Sequence, residues 1–190
     1  LKTLEIAFNR TCQLACSYCN PAFSSTWVKD IRTNGGYQGI KSDARGHFID
    51  DAPYAEPFDD GQVNPYVDAF WRWWPELSKD LEEIRVTGGE PLMTPDIYQL
   101  FDWFETTDEP NAQNMRFAIN SNLMAKPGLL KKLIAGTQNI NRFHLYSSGE
   151  AFGPQLEYIR DGLEWDTWTS NFERICSEAN IEGLHMMMTI

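Results

Sequence analysis

Short apolar runs alternate with longer amphipathic segments along the chain, and this alternation predicts strands followed by helices. Five runs have the length and the β-branched or aromatic content of strands. They cover residues 3–8, 83–87, 116–120, 142–147 and 184–190. Because strands that alternate with amphipathic helices are typical of βα units, we predict an α/β fold with a mainly parallel sheet.

Helical periodicity appears in four of the segments between these runs. Apolar residues recur there every three or four positions, as they do on one face of a helix. The four helices are predicted over 65–82, over 95–106, from Lys126-Pro127 onwards, and over 167–180. Thr94 and Pro95 suit the N-cap and the first position of the second helix.

Residues 33–62 interrupt this alternation of predicted strands and helices. The segment is rich in glycine and aspartate and carries little periodic apolar pattern. An insertion of this length inside a compact domain is either a functional lid or a solvated excursion of the chain. The sequence leaves both interpretations open.

The bulk composition indicates one globular domain over residues 1–190. The net charge of −11 disfavours nucleic acid and anionic membranes as partners. The chain contains no apolar run of membrane-spanning length, and its first residues lack the apolar stretch of a signal peptide. We therefore expect a soluble, cytoplasmic protein. The chain begins with Leu1 and stops inside the fifth predicted strand, so we expect it to be a trimmed piece.

Three of the four cysteines lie within the stretch "FNRTCQLACSYCNPAF", directly after the first predicted strand. They are Cys12, Cys16 and Cys19. In an intracellular chain, such thiols indicate metal binding or catalysis before disulfides. Three thiolates can hold three iron corners of a [4Fe–4S] cluster and leave the fourth iron open to a small molecule. Cys176 lies on the apolar face of the last predicted helix, where we expect an ordinary core residue.

Two other interpretations of the three cysteines remain. They could belong to a Cys₃His zinc site, for which His47 is the nearest histidine in the sequence. His47 lacks the usual short spacing to a second ligand. The thiols could also be unrelated buried residues, although a loop after a strand usually presents ligands.

The cysteine spacing resembles the C-x-x-x-C-x-x-C motif of the radical S-adenosylmethionine (SAM) enzymes, in which an aromatic residue, here Tyr18, precedes the last cysteine. A second motif of that family, "VTGGEPLM", follows the second predicted strand. The resemblance implies that Tyr18 leans on the adenine of SAM. It also implies that the turn formed by Gly88, Gly89, Glu90 and Pro91 binds the amino group of SAM. Glycines allow close backbone approach, and a carboxylate can hold an ammonium group.

The resemblance also implies an architecture. The family has a partial (β/α) TIM-like barrel of up to six βα units, and about five units are visible in this chain. The active site of such a fold lies at the carboxyl ends of the strands. The sixth strand would then be missing, and so would any C-terminal domain for an auxiliary cluster.

Residues 145–175 resemble the twitch-domain branch of the family. On that resemblance, Ser148 and Arg160 would hold the carboxylate or the ribose hydroxyls of SAM, and Arg suits a bidentate carboxylate contact. Asn120 is the expected pocket-facing residue of the third strand. Ser121 and Asn122 depart from the Thr-Asn-Gly pattern of many relatives. The two strand histidines, His144 and His185, are expected to be satisfied interior residues.

The family's chemistry would make this chain an enzyme that cleaves SAM reductively and forms a 5′-deoxyadenosyl radical. The radical would abstract hydrogen from an unknown substrate, with a peptide or natural-product precursor favoured. No side chain need act as an acid or base in that first step. The expected cofactors are a [4Fe–4S] cluster and SAM, and the expected reductant is a protein such as a flavodoxin or a ferredoxin.

Two hypotheses from other classes remain beside the enzyme. The chain could be an iron–sulfur electron-transfer module without SAM chemistry, although such a module needs no ammonium-binding turn. It could also be an incomplete barrel that works only with missing sequence or with a partner chain.

Overall fold

The structure is a computed structural model, and it describes residues 1–39, 48–49 and 64–189. Most of the 33–62 insertion, with His47, lies outside the described residues. The strands are β1 (Thr3–Ala7), β2 (Ala15–Cys16), β3 (Glu83–Thr87), β4 (Arg116–Ser121), β5 (Phe143–Ser148), β6 (Arg160–Asp161) and β7 (Gly183–Met187). The helices are α1 (Ser25–Asn34), α2 (Pro65–Leu77), α3 (Pro95–Thr106), α4 (Pro127–Thr137), α5 (Pro154–Ile159) and α6 (Trp165–Glu178).

Five strands form one sheet in the order β1-β3-β4-β5-β7, and every neighbouring pair is parallel. These are the five strands that the sequence predicts, each within a few residues of its predicted bounds. The predicted parallel α/β sheet is therefore confirmed. In the described residues β1 and β7 are the two edges of the sheet, so a closed barrel is not formed.

The four predicted helices are present as α2, α3, α4 and α6. Helix α2 ends at Leu77 rather than at residue 82, and Leu81 in the following turn is fully buried. The sequence analysis did not predict α1. Its buried apolar residues are only Val28 and Ile31, which is too short a pattern to reveal a helix by periodicity.

One face of the sheet is apolar and the other is polar. Strand residues alternate between the two faces. The apolar face packs into the core through buried side chains on the three central strands: Ile84, Val86, Phe117, Ile119, Phe143 and Leu145. The alternate positions define what we call the polar face: Glu83, Arg85, Arg116, Asn120, His144, Tyr146, Ser148 and His185.

The expectation for Cys176 is wrong, because this cysteine is exposed. The buried residues of α6 are Trp168, Asn171 and Ile175. Successive helical residues are rotated by about 100°, so Cys176 points away from the buried stripe that contains Ile175. Sequence periodicity located the helix but misjudged the width of its apolar face. None of the helices in the described ranges is long and apolar enough to cross a membrane.

Candidate active site

The site lies where the carboxyl ends of the parallel strands meet. The cysteine loop follows β1, the Gly-Gly-Glu-Pro turn follows β3, and two further loops follow β4 and β5. A short antiparallel pair, in which Cys16 lies opposite Arg160, ties the cysteine loop to the segment after α5. The start of α1 secures the same loop, because Thr26 Oγ1 donates to the Cys12 carbonyl at 2.7 Å and Trp27 Nε1 donates to the Cys16 carbonyl at 3.0 Å.

The three thiols of the loop are largely withdrawn from solvent. Burial raises the pKa of Cys12 to about 11 and raises the pKa values of Cys16 and Cys19, and each thiol interacts electrostatically with a neighbouring one. Binding to iron would have to displace these thiol protons. Across the described ranges, no three His, Cys, Asp or Glu side chains are arranged to hold a single metal ion. Neighbouring thiols on one loop fit an iron–sulfur cluster as a donor set, since the corners of a cube are separate.

Two side chains from other loops point a nitrogen at these sulfurs. Asn122 Nδ2 lies 3.7 Å from Cys12 Sγ, and Arg160 Nη1 lies 3.7 Å from Cys16 Sγ. A hydrogen-bond donor or a positive charge beside a thiolate favours its charged form. Asn122 is therefore a site residue, although the sequence flagged it only as a departure from the family pattern.

The Gly-Gly-Glu-Pro turn docks on the cysteine loop through its backbone. The amide of Gly89 donates to the Asn9 carbonyl at 3.2 Å, and the amide of Glu90 donates to the Thr11 carbonyl at 2.7 Å. Gly88 has φ of +107°, and a Cβ placed there would lie 2.6 Å from the carbonyl oxygen of Asn9. Both glycines are needed for this approach, because a side chain would separate the two loops.

The carboxylate of Glu90 lies inside the protein, 2% exposed. It accepts hydrogen bonds from Ser121 Oγ at 2.8 Å, from the Asn122 amide at 2.7 Å and from the Leu92 amide at 3.1 Å. Burial raises the pKa of Glu90 to about 7, and these hydrogen bonds oppose the shift. Its hydrogen-bond partners are thus protein groups that join the β3 turn to the β4 end. Its predicted contact with the SAM ammonium group stays a prediction.

Tyr18, Glu150 and Arg160 form a second cluster against the cysteine loop. Arg160 donates to both carboxylate oxygens of Glu150, through Nε at 2.8 Å and Nη2 at 2.7 Å. The hydroxyl of Tyr18 donates to Glu150 at 3.0 Å, and the guanidinium carbon of Arg160 lies 5.3 Å from the Tyr18 ring centroid. Burial opposes ionisation of Glu150, but the hydrogen bonds and charge of Arg160 hold its pKa below the usual range. The sequence analysis assigned no role to Glu150, although an acid after the serine at the end of this strand was part of the resemblance.

The remaining predicted residues lie on the polar face of the sheet. Asn120 Nδ2 donates to Met187 Sδ at 3.5 Å, and its Oδ1 is buried without a hydrogen-bond partner in the described part of the chain. Ser148 is the last residue of β5 and is partly buried opposite Met187. Asn120 and Ser148 thus lie near the carboxyl edge of the sheet, and their contact with SAM stays a prediction.

A cavity of about 390 Å³ lies beside the Gly-Gly-Glu-Pro turn, between the first turns of α3 and α4. Its walls include Gln13, Leu92, Tyr98, Met124 and Leu129, and Glu90 also reaches it. Gln13 directly follows Cys12, so the cavity borders the cysteine loop.

The fold is similar to that of SuiB from Streptococcus suis. A crystal structure of SuiB matches with a TM-score of 0.50 and 14% identity over 89% of this chain and 29% of SuiB. SuiB bound to the precursor peptide SuiA matches with a TM-score of 0.50 and 15% identity over the same shares. SuiB bound to S-adenosylmethionine matches with a TM-score of 0.49 and 13% identity. No family model and no curated protein matches the sequence. The chain therefore shares its fold with less than a third of the length of SuiB.

Proposed function

We propose that the chain is the core of a radical SAM enzyme that binds a [4Fe–4S] cluster and SAM. The observation that carries the proposal is the backbone contact between the two motifs, in which Gly89 and Glu90 donate to the cysteine loop. Two motifs separated by 68 residues, from Cys19 to Gly88, meet at the carboxyl edge of one parallel sheet. Ligand sites of such sheets are found at this edge.

In this proposal Cys12, Cys16 and Cys19 hold the cluster. When bound, the cluster supplies one electron that cleaves SAM to methionine and a 5′-deoxyadenosyl radical, which abstracts a hydrogen atom from the substrate. The protein's own contribution is to bind and orient SAM and the substrate and to exclude water.

Different residues around the cysteine loop bind different parts of SAM. The turn Gly88 to Pro91 holds the amino group, and Tyr18 lies against the adenine. Ser148 and Arg160 hold the carboxylate or the ribose hydroxyls. Arg160 directs one nitrogen at Cys16 and two at Glu150. Because Cys16 is a proposed cluster ligand, we propose that Arg160 contacts the part of SAM that lies nearest the cluster.

A peptide is the substrate class that we favour. The shared fold with SuiB, which was solved with the precursor peptide SuiA, supports this assignment. We further propose that the chain belongs to the twitch branch, that a longer parent chain completes the barrel, and that a flavodoxin or a ferredoxin supplies the electron. The net charge of −11 makes nucleic acid a poor partner.

The test is anaerobic reconstitution with iron and sulfide, followed by SAM and a strong reductant. We expect a bound cluster and the formation of 5′-deoxyadenosine. Cys16→Ala should lose both, and Cys176→Ala should keep both, because Cys176 is exposed on α6 away from the loop.

The other outcomes separate the competing functions. A cluster that forms without 5′-deoxyadenosine would contradict the enzyme and favour an electron-transfer module. Zinc bound in place of iron would contradict both. Product formed by a longer parent chain but not by the 190-residue chain would show that this piece is inactive by itself.

A further inference from the structure

Two histidines and a glutamate form a hydrogen-bonded chain at the β5–β7 edge of the polar face. His144 Nε2 lies 2.6 Å from Glu182 Oε2, and His144 Nδ1 lies 2.9 Å from His185 Nε2. The two rings are nearly parallel, with centroids 5.2 Å apart. Gly183 leaves the space that this contact needs, because a Cβ there would lie 2.7 Å from His185 Nε2. The three groups thus form one continuous path from Glu182 to His185.

The carboxylate determines where the protons of this chain lie. The hydrogen bond from His144, with the nearby guanidinium of Arg142, holds the pKa of Glu182 below its usual range, so its oxygens accept. His144 therefore carries a proton on Nε2, and in the neutral ring its Nδ1 is an acceptor. His185 must then donate from Nε2, which leaves a lone pair on its Nδ1. That nitrogen has no hydrogen-bond partner in the described residues.

The surroundings hold His185 in place. Its ring stacks on Tyr146 with centroids 4.3 Å apart, and the guanidinium carbon of Arg85 lies 4.5 Å from the Tyr146 ring centroid on the same face of the sheet. Arg85 Nη2 also donates to the Tyr146 hydroxyl at 3.3 Å. Arg85 in turn pairs with Glu83 at 3.1 Å. The charged groups facing the histidine pair are therefore Glu182 and Arg142 at one end and the Arg85–Glu83 pair at the other.

Asn120, Tyr146 and His185 occupy one register row across three neighbouring strands. This row, which we call the acceptor row, lies one or two residues before the carboxyl ends of the strands. It offers two acceptors without partners in the described residues, Asn120 Oδ1 and His185 Nδ1. Asn120 Oδ1 is buried, and a buried acceptor is costly unless a donor reaches it, whereas His185 is only partly buried. A ligand with N–H or O–H groups fits this surface.

We propose that the acceptor row binds an N–H or O–H group of the substrate and that His185 Nδ1 takes its proton. The proposal rests on the proposed function, which places the substrate at this edge of the sheet. One proton leaves the substrate heteroatom for His185 Nδ1, and the Nε2 proton of His185 passes to His144 Nδ1. The substrate heteroatom is left with a negative charge, and His144 becomes an imidazolium that is paired with the Glu182 carboxylate. No electron is transferred. His185 is then a catalytic residue, and His144 and Glu182 position it.

The proton positions can be read by NMR without cluster or SAM. The test uses the uniformly ¹⁵N-labelled 190-residue chain at about pH 8, where an ordinary imidazole is neutral. Two-bond ¹H–¹⁵N spectra should show both His144 and His185 protonated on Nε2. Glu182→Gln should convert the fixed tautomers into mixtures, while the matched control Glu178→Gln, on the exposed end of α6, should leave them unchanged. Protonation of His185 on Nδ1 in the unmodified chain, or no change in Glu182→Gln, would overturn the relay.

Ligand binding is tested with N-methylacetamide, whose N–H mimics a peptide bond. We expect its titration to shift the Nδ1 resonance of His185 but not that of His144, with a smaller shift in Asn120→Ala. Equal shifts of the two histidines, or none, would contradict the acceptor row. Because neither measurement requires 5′-deoxyadenosine, the relay and the proposed SAM chemistry can fail separately.

Discussion

Arg160 and Glu150 form a buried bidentate ion pair directly behind the cysteine loop. The two hydrogen bonds measure 2.8 and 2.7 Å, and the side chains are 5% and 8% exposed. The third guanidinium nitrogen points at Cys16 Sγ, so the pair fixes a positive charge beside one predicted cluster ligand. The contact between Arg160 and Cys16 joins residues 144 positions apart in the sequence, and it ties the segment between α5 and α6 to the loop after β1.

Removing Glu150 should destabilise the protein strongly. Glu150→Ala leaves the guanidinium of Arg160 buried and without its carboxylate, which typically costs about 3 kcal/mol or more. Urea unfolding of the two proteins measures the difference in unfolding free energy. Glu178→Ala, which breaks the exposed pair with Arg174, is the control and should change the midpoint little. Equal effects of the two substitutions would contradict the structural role of the buried pair.

Gly88→Ala should separate the two motif loops. Gly88 has a positive φ and no room for a Cβ beside the Asn9 carbonyl, so we expect a loss of about 1–3 kcal/mol. Gly128→Ala, in the first turn of α4, meets no atom within 4 Å and should be neutral or stabilising by about 0.5–1 kcal/mol. Chemical unfolding compares the two. If Gly88→Ala left the unfolding free energy unchanged, the loops would not need this close contact.

The buried carboxyl of Glu90 should make stability depend on pH. Its pKa is about 7 in the folded protein against an ordinary value of 4.5. Its contribution is fully present below about pH 4.5 and is lost as the pH rises through about 7, because folding then buries a charge. Glu90→Gln should therefore gain stability relative to the unmodified protein between about pH 5 and pH 8. Unfolding curves at both pH values measure the change.

Ser121→Ala provides a second test of whether Glu90 causes the pH dependence of stability. Ser121 Oγ donates to Glu90 Oε1 at 2.8 Å, and this hydrogen bond favours the charged carboxylate. Its loss should extend the pH-dependent decrease in stability to higher pH, whatever it does to stability as a whole. A pH dependence that is the same in all three proteins would mean that Glu90 is not the titrating group.

Iron binding should depend on the loop cysteines and not on the fourth one. Cys12→Ala, Cys16→Ala and Cys19→Ala should each lower the iron content after reconstitution, because each removes one thiolate from a set of three. Cys176→Ser should retain it, since Cys176 is exposed on α6. Iron and sulfide analysis of the desalted proteins gives the comparison. Full iron retention in any of the three loop variants would remove that cysteine from the ligand set.

The sequence determined the elements that rest on local patterns. The five strands follow from short apolar runs, and α2, α3, α4 and α6 follow from helical periodicity, since both patterns reflect which face of an element is buried. It also determined the order of the two motifs along the chain and their places after β1 and β3. Helix α1 was not predicted, because its two buried apolar residues are too few to reveal helical periodicity.

The contacts of the polar side chains depend on the folded arrangement of distant loops. The carboxylate of Glu90 finds Ser121 and the Asn122 amide 31 and 32 residues away, and Asn122 reaches Cys12 across 110 positions. Periodicity carries no information about such contacts, because they arise when parallel strands bring distant loops to one edge of a sheet. The chain's residues supplied the chemistry of the candidate site, and the sheet decided that Glu90 faces inwards and that Arg160 pairs with Glu150.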